Sequence, residues 1–132
     1  MKPLFDAIMA RFNSTSGAAL RASVTGMWPY QAAIGTATPY AVFSLVDDTP
    51  EWTFTESQED CTVQFSVYAD SGSAANTATD ALKTLFDWCS LAVDGYTTIY
   101  MRRSSSRMVQ TSLEPNVSDW HYIIEYDILL EK

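Results

Sequence analysis

The 132-residue sequence predicts an α+β fold, a mostly antiparallel sheet of about four strands with helices packed on one face, in the order α-β-β-α-β-β. Three observations predict it. Residues 61–69 alternate, with Cys61, Val63, Phe65, Val67 and Ala69 pointing one way and Thr62, Gln64, Ser66 and Tyr68 the other. Residues 119–131 alternate as well, Trp120, Tyr122, Ile124, Tyr126, Ile128 and Leu130 opposing His121, Glu125, Asp127 and Glu131. Both have the period of a half-buried strand. Between them, Ala74, Ala78, Leu82, Leu85, Cys89 and Ala92 recur at helical spacing over residues 73–93. A one-sided sheet and one-sided helices bury their apolar faces by stacking.

In chain order, residues 3–12 read as a short amphipathic helix. Pro3 suits the first turn, and Leu4, Phe5, Ile8, Met9 and Phe12 share a face. Asn13-Ser-Thr-Ser-Gly breaks it. Residues 13–38 read as an irregular arm, in which Ala18–Val24 has room for one or two helical turns and Met27, Trp28 and Tyr30 are the adhesive side chains. From Tyr40 to Val46 a strand is apolar on nearly both faces. A long acidic loop is expected next, with Asp47, Asp48, Glu51, Trp52, Glu56, Glu59 and Asp60 and no Lys or Arg before the second strand.

Ser71 or Ser73 can cap the 73–93 helix. Lys83 is placed to pair with Asp80 and Asp87, and Asp94-Gly95 to end the helix. Residues 96–111 carry Tyr96, Ile99, Met101, Met108 and Val109 around a polar centre of Arg102, Arg103, Ser104, Ser105, Ser106 and Arg107. That centre fits either an exposed strand or a hairpin tip. Pro115 and Asn116 form a turn before the last strand. One domain spanning 1–132 is expected, since the length suits one core and not two.

The net charge of −8 opposes bulk attraction to nucleic acid or anionic lipid. Cys61 and Cys89 fall on apolar faces, so buried free thiols are expected. No signal peptide is read at the amino terminus and no stretch has the length of a membrane helix, so synthesis and assembly in a cytoplasm are expected.

Chemistry of the catalytic kind has little to work with. His121 is the only histidine, so a histidine-based triad or a Cys/His zinc site has almost nothing to work with. Its place on a polar strand face predicts a solvated ring. Asp47, Asp48, Glu51, Glu59 and Asp60 could gather a hard cation, but their spacing matches no metal loop. A non-enzyme without metal or cofactor is the expectation. Arg102, Arg103 and Arg107 form a basic cluster in an acidic chain, suited to carboxylates such as those of residues 47–60 in a neighbouring copy. Opposite patches on one domain favour head-to-tail association, which closes into a ring when the rotation allows.

The phrases SLVDDTP, VQFSVYAD and EYDILLEK, in the layout of Tyr40–Lys132, resemble the tail-terminator proteins of long-tailed bacteriophages, also called tail-completion or minor tail proteins. The resemblance implies a structural virion protein forming a six-membered ring on the head-proximal end of the tail tube. Such a ring stops tube growth and meets the neck of the capsid. Tube protein, neck protein and further copies of the chain are the implied partners, and DNA passes through without specific binding. On this reading Asp47, Asp48, Glu51, Glu59, Asp60, Glu125 and Asp127 are expected to face the channel. The 47–60 loop, the Met27–Tyr30 arm and the Arg102–Arg107 segment are expected to bind partners, ordering only on contact. Another neck component, or an acidic cation-binding module, is the alternative.

Overall fold

The computed structural model describes residues 1–33, 35–52, 57–110 and 120–132. Glu56, the Pro115-Asn116 turn and Asp119 lie outside them. Helices α1 (Lys2–Phe12) and α2 (Ala18–Ser23) flank a 3-10 turn, and a three-residue strand β1 (Met27–Pro29) follows. Then come β2 (Tyr40–Trp52), β3 (Ser57–Ala69), α3 (Gly72–Phe86), β4 (Thr97–Gln110) and β5 (Trp120–Glu131). The sheet has five strands in the order β1-β2-β3-β5-β4. Every neighbouring pair is antiparallel except β1–β2, so this α+β sheet is mostly antiparallel as expected, but mixed and five-stranded where about four strands were expected. The expected irregular arm supplies the extra strand.

α1 starts with Pro in its first turn and buries Leu4, Phe5, Ala7, Ile8 and Phe12. Gly17 passes so close to the Phe12 carbonyl that a Cβ would collide with backbone, which fixes the tight turn into α2. The Ser71 hydroxyl caps α3 by accepting the Ala74 N–H at 3.1 Å. α3 ends seven residues before Val93. Trp88 adopts φ 53°, a left-handed conformation that breaks the helical path. The sequence stripe ran on because the irregular segment after α3 also buries Cys89, Leu91 and Val93. The face that α3 buries is Ala75, Ala78, Thr79, Leu82, Leu85 and Phe86. Ala92 is exposed, and Gly95 (φ 82°) turns the chain before β4 without capping any helix.

Lys83 pairs with neither Asp80 nor Asp87. Its ammonium lies 5.1 Å from the Tyr122 ring centre instead. Asp87 accepts the Tyr126 hydroxyl at 2.6 Å and meets Arg103 at 3.4 Å, tying the end of α3 to β5 and β4. The core lies between the helices and one face of the sheet. Phe5, Phe43, Phe65, Phe86 and Tyr126 form a chain of aromatic contacts there, with ring centres 4.9–6.4 Å apart.

Among the described residues, the acidic stretch expected as a loop lies in strands, Asp47–Trp52 in β2 and Ser57–Asp60 in β3. β2 and β3 stay paired from Tyr40–Tyr68 to Trp52–Ser57. β5 and β4 keep pace, since Gln58 faces Glu131 and Glu131 faces Thr97. Carboxylates expected on a mobile loop are therefore set in a four-stranded body. Likewise Arg102–Arg107 belongs to a continuous strand, which decides against a hairpin tip.

Candidate functional surface

Strand register sorts the candidate residues onto two faces. The helix-covered face takes Ala41, Phe43, Cys61, Val63, Phe65, Tyr126 and Ile128. Its opposite is covered by no helix among the described residues. Between Leu45 and Asp47 the β2–β3 register shifts, with Val46 as the extra residue of a bulge. Without that bulge Asp47 would follow Phe43 and Leu45 onto the helix face. With it, Asp47, Thr49 and Glu51 turn to the open face.

The open face then reads in rows across the sheet. Glu51, Gln58, Glu131 and Thr97 form one row; Thr49, Asp60, Leu129 and Tyr100 the next; Asp47, Thr62, Asp127 and Arg102 the third. Glu125 lies beyond, beside Gln64 and Ser105. Thr62 donates to Asp127 at 3.4 Å, and Arg102 approaches Asp127 at 4.0 Å while its guanidinium covers the Tyr100 ring. Burial, with Asp127, Glu51 and Asp47 close by, pushes the Asp60 carboxyl above its usual range, and Arg102 pulls in the other direction.

At the far end of this face the charges give way to aromatic side chains. Trp28 meets Tyr40 edge-on at 6.4 Å, Tyr40 stacks on Tyr68 at 5.1 Å, and Tyr68 stacks on His121 at 4.3 Å. His121 is thus half-buried in a stack, not solvated. Its Nε2 has no partner among the described residues, and burial, with Arg107 nearby, lowers its pKa. Tyr30, with φ 67° and 68 % exposed, leans on Phe5 and borders a recess of about 320 Å³ with Gln31, Thr36, Tyr40, Val42 and Tyr68. Met27, by contrast, is buried in the core. Two candidates sequence reasoning left out also project outward, Trp88 (70 % exposed) and Val46 (54 %), alongside the expected Trp52 (75 %). Nothing in the spacing around Trp88 announces its exposure, because the helix stripe runs through it.

Asp48 and Glu59 part from the other carboxylates. They lie on the helix side, with one oxygen of each and the Cys61 sulfur within 4.8 Å of one another. The Cys61 thiol donates to Asp48 at 3.7 Å, and the Tyr96 hydroxyl donates to Glu59 at 3.4 Å. Burial foremost, and then the two carboxylates, push the Cys61 thiol up to about 12, so it keeps its proton. Cys61 and Cys89 are both buried and unpaired.

Among the described residues, Asp47–Trp52, Ser57–Asp60, Met27–Pro29 and Arg102–Arg107 lie in strands, and Tyr30 follows β1. The described sheet has one open acidic face, an aromatic row and exposed tryptophans. The chain belongs to the family described as tail completion protein gp17, which matches residues 6–130. That makes it a structural protein of the phage tail or neck. No curated protein matches it. Among solved structures, a chain of the virion of a native gene transfer agent particle shares the fold, with TM-score 0.76 at 14 % identity over 95 % of this chain and 92 % of that one. Another solved chain is similar at TM-score 0.52 and 17 % identity, over 93 % of this chain and 94 % of that one.

Proposed function

We propose that the protein caps the head-proximal end of the tail tube as a six-membered ring, stops tube polymerisation and helps join tail to head. The observation that carries this is the uncovered sheet face, where Asp47, Glu51, Asp60, Glu125 and Asp127 are held by four paired strands. In a family of tail completion proteins, such a face suits the wall of a DNA channel. Phosphates passing a carboxylate-lined wall gain no condensed contacts and do not stick. Asp48 and Glu59 leave the channel set, because register turns them toward the helices. The fold's likeness to a chain of a gene transfer agent virion supports a place in the particle.

Termination needs a ring that pairs with the tube end below and offers a different surface above. The exposed Trp52, Tyr30 and Trp88 are suited to those contacts with tube and neck proteins, since aromatic side chains dominate interface energies. No turnover is part of this role. The test is tail length by electron microscopy in a phage with this gene disrupted. Overlong or ragged tails, unattached to heads, are expected. Tails of normal length beside leaking heads would move the protein to the neck, and normal infectious particles would overturn the virion role.

A further inference from the structure

The two ends of the sheet carry opposite charge, and the strands there are open. On one side β1 covers only Ala41–Phe43 of β2, so Ser44–Trp52 has no strand on its outer edge among the described residues. That edge bears Asp47, Asp48 and Glu51. On the other side β4 is the terminal strand and bears Arg102, Arg103 and Arg107. Open edges template strand addition unless something prevents it.

We infer that neighbouring copies join by pairing the acidic edge of β2 on one copy, antiparallel, with the basic edge of β4 on the next. The inference rests on the ring reading above and names the contact that builds the ring. The direction follows from topology. β2, β3, β5 and β4 alternate in direction, so β2 and β4 run oppositely within one copy. Rotation about a ring axis to which the strands are tilted, as in a closed barrel, keeps each strand's sense along that axis and staggers neighbouring copies, so β2 of one copy meets β4 of its neighbour antiparallel and shifted in register.

The spacing of the charges fits as well. Asp47 and Glu51 lie on the open face, facing Thr62 and Gln58 four rungs apart. Arg102 and Arg107 are five residues apart in sequence, but the shift between Arg103 and Ser105 removes one, so they face Asp127 and Ile123, also four rungs apart and on the open face. Antiparallel pairing can set Glu51 against Arg102 and Asp47 against Arg107 together. Opposite charges directly across a strand pair attract, and like charges repel. A two-fold dimer through either edge would bring like charges together, so the same pattern disfavours it. Pro50 offers no N–H, which interrupts the new ladder at one rung.

The experiment is done on tails assembled with variant protein. Glu51→Cys with Arg102→Cys gives a pair close enough to oxidise across such a contact. The native thiols are buried and do not compete. Oxidation is expected to convert the tail-bound protein into disulfide-linked multimers, and either single variant is expected to give none. D47R with E51R, or R102E with R107E, is expected to remove the protein from tail ends, and all four together to restore it. Protein present on tails at normal occupancy, unlinked by oxidation and indifferent to both charge reversals, would overturn the edge contact and leave the ring role standing. Wild-type protein absent from tails would overturn both.

Discussion

Asp60 lies in the body of the sheet among carboxylates, and its usual pKa is raised by burial and by Asp127, Glu51 and Asp47. A carboxyl with a native pKa above its unfolded value favours folding when protonated. That contribution is complete below the ordinary range near 3.8 and is lost as pH rises through the raised native value. At neutral pH the charge therefore costs stability. Asp60→Asn is expected to stabilise the fold by about 0.5 kcal/mol at pH 7, the scale of a cross-strand like-charge contact, with the advantage shrinking as pH falls through that window. Urea unfolding at pH 7 and pH 4 checks it, and equal gains at both would refute the electrostatic origin. The acidity of this stretch was legible in the sequence, but its environment was not. A run of carboxylates between two apolar strands reads as solvated loop, and only cross-strand register shows which carboxylates crowd one another. His121 was misread for the same reason, since its stack on Tyr68 depends on how β3 and β5 align.

At the scale of elements, β5, α1 and the 61–69 part of β3 were readable because each carries one clean period, while the start of β3 was read as loop. α3 was readable at its start, where Ser71 caps it, and not at its end. There tertiary contacts take over, as Asp87 accepts from Tyr126 and pairs with Arg103 while Trp88 turns left-handed. Burial foremost, and then the hydrogen bond to Asp87, raise the Tyr126 hydroxyl pKa, so it remains a donor throughout ordinary pH. Tyr126→Phe keeps the ring contacts with Phe65 and Phe86 and removes only that donor. A hydrogen bond to a charged group contributes about 1.5–3 kcal/mol, and Asp87 keeps Arg103, so a loss of about 1.5 kcal/mol is expected in denaturant unfolding. A neutral result would mean that Asp87 is satisfied without it. β1 could not be foreseen, because a parallel partner for three residues leaves no periodic trace.

For the whole molecule, the net charge of −8 was plain from composition, but its distribution arises only on folding. The open face gathers Asp47, Glu51 and Asp60 from the consecutive strands β2 and β3, and Glu125, Asp127 and Glu131 from β5, distant in sequence. If this face lines a DNA channel, Glu125→Lys with Glu131→Lys should slow genome ejection, increasingly so at low salt, while leaving tail length unchanged. Ejection kinetics indistinguishable from wild type would remove the face from the channel wall. Which face the β2 carboxylates occupy depends on a single residue. Val46 acts as a parity switch, one uncounted step in an otherwise two-step rhythm. Its chemistry matters less than its presence. Another residue at that position would leave the allocation intact. Its deletion would send Asp47 and Glu51 toward the helices and bring Asp48 to the open side without altering the sequence of charges. The β2 segment is therefore constrained in length more tightly than in composition.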